Sequence, residues 1–309
     1  MVVAAFCFLL AASWAQAQEG SAKQNSALTW SELVANHYML YPDQVYGKAN
    51  NIDLKLNVWR NVEAHGDVPT VVYIHGGGWI WFHRDGAVPE LLPYLEKGWD
   101  VVNVEYRLAD QSLAPAAVED SRCALRWIYR NAKRFHFDTS RIIVTGHSAG
   151  GHLALMTGML TASAGFDNNC AAGPGEPPLK VAAIVSWFGI SDVADMLSGP
   201  DRRNYALMWL GGQGTEAERV RLARRLSPLS YVRPGLPPII QIHGTADPTV
   251  PYSQAVRLQR ALDKAQDVNE LVSIPGGKHG FQAFSDAETI RAYKKVFTFL
   301  NKNVPGLKH

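Results

Sequence analysis

The chain has 309 residues, of which 47% are hydrophobic and 19% charged, a balance that excludes a disordered chain and supports a folded core. Its net charge is +2 at pH 7, and no basic run interleaved with aromatics occurs, so nothing supports binding to nucleic acid or to an anionic membrane. Neither Cys-x-x-Cys nor His-Glu-x-x-His occurs, so no metal site is indicated.

The chain opens on an apolar stretch. Val2 to Ala12 is almost wholly apolar, and Ala15-Gln16-Ala17 sets small residues at two alternate positions. This is the pattern of a signal peptide spanning residues 1–17 and cleaved after Ala17. The run is too short to cross a bilayer. The expectation is export to a secreted or periplasmic location, no membrane insertion after cleavage, and one mature domain over 18–309.

Next, the apolar spacing of Leu28 to Tyr41 predicts a helix. Gln44 to Lys48 and Ile52 to Trp59 read as a strand pair, and the strict alternation from Ile52 to Val58 predicts an antiparallel edge with one wet face. Thr70 to Ile74 is a continuous apolar run, the mark of a strand covered on both faces. It ends in His75-Gly76-Gly77-Gly78-Trp79.

From there helices and strands alternate. Ala87 to Glu96 reads as a helix, Trp99 to Val104 as a strand and Ala116 to Lys133 as a long helix. Arg141 to Thr145 reads as a strand and His152 to Leu160 as a helix, with Gly146-His147-Ser148-Ala149-Gly150-Gly151 between them. Phe166 to Pro178 reads as a surface loop. Val181 to Trp187, Pro238 to Ile242 and Glu270 to Ile274 read as strands, and Tyr252 to Lys264 and Ala287 to Leu300 as helices. Repeated β-α-β units predict an α/β fold, a mostly parallel central sheet with helices on both faces. Residues from about 190 to 233, with a charged helix around Glu216 to Arg225, exceed what a plain crossover needs and read as a small cap insertion.

Outside the leader there are two cysteines, Cys123 in a helix and Cys170 in a loop. Two readings stay open: a disulfide formed in an oxidising compartment, and two unpaired buried thiols, of which the second is preferred.

Gly-x-Ser-x-Gly between a strand and a helix is the pattern of a nucleophile elbow, in which a sharp turn needs glycine around a strained serine. Acyl transfer also needs a base, a group orienting that base, and an oxyanion hole. Ser148 is the candidate nucleophile. His279 follows the last strand in a glycine-rich loop and is the candidate base, preferred over His75, His147, His152 and His243. Asp247 follows a buried strand and is the candidate orienting acid, with Asp192 as its rival. The order Ser148, Asp247, His279 is the one expected of this chemistry. Gly77, Gly78 and Ala149 are the candidate oxyanion donors through their N–H groups.

The motifs His75-Gly-Gly-Gly-Trp79, Gly146-His-Ser-Ala-Gly-Gly151, Asp247-Pro-Thr-Val-Pro251 and His279-Gly-Phe281 resemble the α/β-hydrolase esterase/lipase superfamily. The likeness covers roughly residues 45 to 303 and is nearest the bacterial feruloyl-esterase and acetyl-esterase-like branch. Glu105-Tyr106-Arg107-Leu108 carries the same likeness. The hormone-sensitive-lipase branch usually carries Asp where His147 stands, which argues against it. Trp79, Trp81 and Phe82 are the candidate substrate-pocket wall, and Phe82 departs from the Gly common in the branch. The resemblance implies an α/β-hydrolase fold and a serine esterase that needs no cofactor. It implies a small-molecule or carbohydrate ester substrate with a small acyl or aromatic acyl group, acetyl or feruloyl esters of sugars among them. The alternatives are an arylformamidase- or peptidase-type hydrolase on the same fold and a non-catalytic binding module. The leader disfavours the formamidase, the lack of a propeller-length N-terminal domain disfavours the peptidase, and a complete set of site residues disfavours the binding module.

Overall fold

The computed structural model describes residues 36–307. The leader, and the predicted helix before residue 36, lie outside the described residues. Eight strands form one sheet: β1 (Tyr38–Ala49), β2 (Ile52–Asn61), β3 (Val68–Ile74), β4 (Asp100–Val104), β5 (Phe137–His147), β6 (Ala183–Trp187), β7 (Ile239–Gly244) and β8 (Asn269–Ile274). Their spatial order is β1-β2-β4-β3-β5-β6-β7-β8. The pairs β1/β2 and β2/β4 are antiparallel, and all the others are parallel.

Seven α-helices are described: α1 (Val88–Leu95), α2 (Ala116–Phe135), α3 (Ala149–Met159), α4 (Asn204–Leu210), α5 (Glu216–Arg225), α6 (Ser253–Ala265) and α7 (Asp286–Asn303). The sheet divides the core in two. Val72 and Ile74 of β3 join Leu125 of α2, Leu153 of α3 and Leu258 of α6 on one face. Val71 and Tyr73 join Leu91 of α1 and Val296 of α7 on the other. Alternate residues of β3 thus bury into opposite layers, which is why its sequence runs apolar without a break. All the parallel strands end toward one rim, and the loops leaving that rim carry the candidate site.

Three expectations need correction. Tyr38 to Tyr41 is strand, not helix, because these residues pair with Val58 to Asn61 of β2, and that pairing overrides the local apolar spacing. The sheet edge is β1, not β2. β2 lies between β1 and β4, and most of its side chains are buried or half-buried. The cysteines are paired: Cys123 and Cys170 form a disulfide with Cα atoms 5.4 Å apart. The 166–178 segment folds back along α2, where Arg122 binds Asp167 at 2.6 Å through both Nε and Nη2, and Arg130 Nε binds Glu176 at 2.7 Å. These ion pairs bring Cys170 over Cys123 across a separation of 47 residues, a distance sequence spacing does not encode.

Residues 190–233 hold α4, α5 and several 3-10 turns. α5 starts at a reciprocal cap, in which the Thr215 hydroxyl accepts from the Glu218 N–H and the Glu218 carboxylate accepts from Thr215.

Candidate active site

Ser148 stands at the turn from β5 into α3 with φ 55° and ψ −120°, a strained conformation for a residue with a side chain. The turn presses against the end of β3. A Cβ on Gly146 would lie 2.3 Å, and one on Gly150 2.0 Å, from the carbonyl oxygen of Ile74. Both positions therefore require glycine. The Ser148 N–H donates to the Trp187 carbonyl at 2.8 Å, tying the turn to the end of β6.

The loops after β7 and β8 are joined to each other. Thr245 N–H donates to Ile274 O at 2.9 Å, Ala246 N–H to Gly277 O at 3.0 Å, and Gly276 N–H to Thr245 Oγ1 at 2.8 Å. That stitching brings Asp247 and His279 together, with Asp247 Oδ2 2.7 Å from His279 Nδ1. His279 Nε2 in turn lies 2.9 Å from Ser148 Oγ. The other Asp247 oxygen accepts the N–H groups of Thr249 at 2.8 Å and Val250 at 2.9 Å. Burial alone would raise the Asp247 carboxyl. Hydrogen bonds from His243 and His279, the charge of His279 and the Val250 N–H outweigh it and hold the group well below the usual carboxylate range. Asp247 is therefore an anion at working pH.

Asp192 is engaged elsewhere. It accepts the N–H of Ala194 at 3.1 Å and pairs with Arg257 at 3.3 Å. His243 donates to the Val250 carbonyl at 2.9 Å, and His152 Nε2 donates to the Leu226 carbonyl at 2.7 Å. Burial, only partly opposed by that last bond, pushes His152 down to about 4.

Gly77 (φ 105°) and Gly78 (φ 58°) occupy the left-handed region. A Cβ on Gly77 would fall 1.9 Å from the Trp81 carbonyl oxygen. Among the described residues, no acceptor takes the N–H of Gly77, Gly78 or Ala149. Ala149 opens α3, and its N–H is one of those that a helix leaves free at its first turn.

These groups border a cavity of about 380 Å³ lined by Gly77, Gly78, Trp81, Phe82, His147, Ser148, Phe188, Tyr205, Thr249, His279, Gly280, Phe281 and Gln282. Of the three predicted wall residues, Trp81 and Phe82 are present. Trp79 is not. It is fully buried and stacks on Trp209 of α4, with ring centroids 4.1 Å apart and planes 14° from parallel. It is a core residue that roots the glycine loop, not a wall residue.

The sequence reading missed His147, Phe188, Tyr205, Thr249, Gly280, Phe281 and Gln282 as wall residues. Three carried a signal: His147 and Phe188 sit at or just past the C-terminal end of a core strand, the rim where sites gather, and Phe281 follows the candidate base in its motif. His147 Nε2 accepts the Gly76 N–H at 3.2 Å, so its proton is on Nδ1, which faces the Tyr73 hydroxyl at 2.8 Å. Burial, helped by the charges of His75 and His279, pushes His147 down to about 3, so it stays neutral.

A serine hydroxyl aligned with an imidazole and a carboxylate, beside three free N–H groups, is equipped for nucleophilic attack on an acyl carbon with proton transfer through the imidazole. No cluster able to hold a metal ion occurs among the described residues, and none of their helices is long and apolar enough to cross a membrane.

The BD-FAE family model matches residues 56–262. Esterase LipC of Mycobacterium tuberculosis is 30% identical over 254 residues, covering 80% of this chain and 62% of LipC. Esterase LipQ of the same organism is 28% identical over 264 residues, covering 84% of this chain and 61% of LipQ. The chain thus spans about three-fifths of the length of these curated relatives. Among solved structures, a truncated carbohydrate esterase from gut microbiota superposes with a TM-score of 0.70 at 25% identity, covering 85% of this chain and 97% of that one. Propionate-bound esterase 2 of Thermogutta terrifontis gives 0.69 at 26% identity, covering 86% and 94%.

Proposed function

Because the chain belongs to the BD-FAE family and has the α/β-hydrolase fold, we propose that it is a serine carboxylic-ester hydrolase. One observation carries the reading: the hydrogen-bonded line Asp247–His279–Ser148 opens into a cavity walled by aromatic rings and bordered by three free N–H groups.

Ser148 Oγ attacks the ester carbonyl carbon while His279 Nε2 takes its proton. Asp247 holds the Nδ1 proton and stabilises the imidazolium that forms. The N–H groups of Gly77, Gly78 and Ala149 receive the carbonyl oxygen as it becomes an anion. The tetrahedral species collapses, the carbon–oxygen bond to the alcohol breaks, and His279 returns its proton to the leaving alkoxide. Water, deprotonated by His279, then attacks the acyl-enzyme and releases the acid and free Ser148.

The substrates are esters of small or aromatic carboxylic acids, with acetyl and feruloyl esters of sugars as the favoured class. A cavity of about 380 Å³ between Trp81, Phe82, Phe188 and Phe281 accommodates such acyl groups. The carbohydrate esterase and the propionate-bound esterase among the structural neighbours support the same class. Tyr205 brings the 190–233 insertion into the wall, as a cap would. The Cys123–Cys170 disulfide supports an oxidising location, secreted or periplasmic.

The test is hydrolysis of p-nitrophenyl acyl esters, methyl ferulate and acetylated xylan by wild type and Ser148→Ala. Wild type should turn over at least one class and Ser148→Ala none. Appreciable turnover by folded Ser148→Ala sinks the assignment.

A further inference from the structure

The two peptide groups that precede Gly77 are held at every polar atom but one. In the His75–Gly76 peptide, the Gly76 N–H donates to His147 Nε2 at 3.2 Å and the His75 carbonyl lies 3.1 Å from the Tyr106 hydroxyl. In the Gly76–Gly77 peptide, the Gly76 carbonyl accepts from His75 Nδ1 at 2.8 Å and lies 3.1 Å from the same hydroxyl. The remaining group is the Gly77 N–H. In a planar trans peptide, C=O and N–H point in opposite directions. Fixing the Gly76 carbonyl toward Tyr106 therefore aims the Gly77 N–H the other way, toward the cavity that Gly77 lines.

Tyr106 is well placed to act as such an anchor. It is 1% exposed, and its ring stacks on His75 with centroids 4.3 Å apart and planes 16° from parallel. Burial, and then the Glu105 charge, raise its pKa well above the usual phenol range, so the hydroxyl keeps its proton and remains a donor. Its hydroxyl bonds to the His75 and Gly76 carbonyls and its ring stacks on His75, and it makes no hydrogen bond to Ser148, His279 or Asp247.

We propose that Tyr106 is a positioning residue for ester hydrolysis: its hydroxyl, bridging the His75 and Gly76 carbonyls, sets the direction of the Gly77 N–H that receives the oxyanion. This rests on the esterase reading above. A loosely aimed donor binds the flat ester nearly as before and fails chiefly when the oxygen becomes anionic, so the effect belongs to kcat.

Tyr106→Phe removes the hydroxyl and keeps the ring and its stack. Deleting a whole oxyanion donor costs on the order of a hundredfold or more in kcat, so misdirecting one should cost about ten- to a hundredfold. KM on p-nitrophenyl acetate should stay near the wild-type value. Affinity for an alkyl trifluoromethyl ketone, which adds Ser148 to form a tetrahedral oxyanion, should fall by the same factor as kcat. The pH midpoint of kcat/KM should not move, because the imidazole and its carboxylate are untouched. If Tyr106→Phe does not give folded protein, Tyr106→Met is read by the same criteria. Unchanged kcat in the folded variant, or a lower kcat with unchanged ketone affinity, overturns the proposal. Ser148→Ala run in parallel separates the two claims: an active Ser148→Ala enzyme defeats the esterase reading, whereas an inactive one beside an unimpaired Tyr106→Phe enzyme defeats this inference alone.

Discussion

Exchanging Asp247 for Asn tests the site most sharply, because the structure dictates which way the new amide must turn. One Asp247 oxygen accepts two backbone N–H groups, from Thr249 at 2.8 Å and Val250 at 2.9 Å. The other accepts from His279 Nδ1 at 2.7 Å. An Asn side chain has a single oxygen, and turning its NH₂ toward two N–H groups would oppose donor to donor. The oxygen therefore stays with the loop, and the NH₂ faces His279. Nδ1 must then accept, the imidazole proton moves to Nε2, and Nε2 no longer takes the Ser148 proton. The same trapped tautomer in a chymotrypsin-like protease lowers turnover about ten-thousandfold. A similar loss is expected here, about 5 kcal/mol of transition-state stabilisation at 1.36 kcal/mol per tenfold. KM should change little. Asp192→Asn keeps its oxygen on the Ala194 N–H and loses half of a partly exposed pair with Arg257, so its kcat should stay close to wild type. Stopped-flow and steady-state kinetics on p-nitrophenyl acetate decide the matter. Folded Asp247→Asn retaining more than about a hundredth of wild-type kcat would refute the reasoning, as would a larger loss in the Asp192 variant.

Two further outcomes are expected. The Cys123–Cys170 bond spans 47 residues, so replacing both cysteines with Ser should lower unfolding stability by about 4 kcal/mol on the loop-closure model while kcat is kept, since neither residue borders the cavity. Denaturant unfolding reads this, and equal midpoints for the two proteins would contradict it. Mass spectrometry of exported protein should find a chain starting at Gln18, and an intact Met1 on the exported form would rule out cleavage after Ala17.

What could be read from the sequence was local chemistry at strand ends. Gly146 and Gly150 announce a turn too tight for any Cβ, and the strand before Ser148 says where the turn stands. Asp247 and His279 each follow a core strand, so strand order alone brings them to the same rim. What escaped depends on partners distant in sequence. Trp79 carries a pattern that fits a wall residue, but its ring is claimed by Trp209, some 130 residues further along the chain. Tyr205 and Thr249 enter the wall only because Arg203 and Tyr205 bind the carbonyl of Thr249 at 2.8 and 3.1 Å. The disulfide likewise depends on ion pairs along α2 that no spacing rule reveals. Alternation in β2 marks a polar face but does not place the sheet edge, because a strand one place inward shows the same pattern.

The Trp79–Trp209 stack bears on how this protein can diverge. His152 packs edge-on against both rings, with centroids 5.0 and 5.5 Å away, so the glycine loop, the 190–233 segment and α3 share one aromatic joint. The 190–233 segment is therefore not a module to be exchanged freely in search of new specificity. A chimera that imports a foreign segment without an aromatic at position 209 leaves Trp79 facing a void, and the disturbance travels down the loop to Gly77 and Gly78. Specificity is more safely retuned at Trp81, which is 62% exposed at the cavity mouth and stands outside the joint.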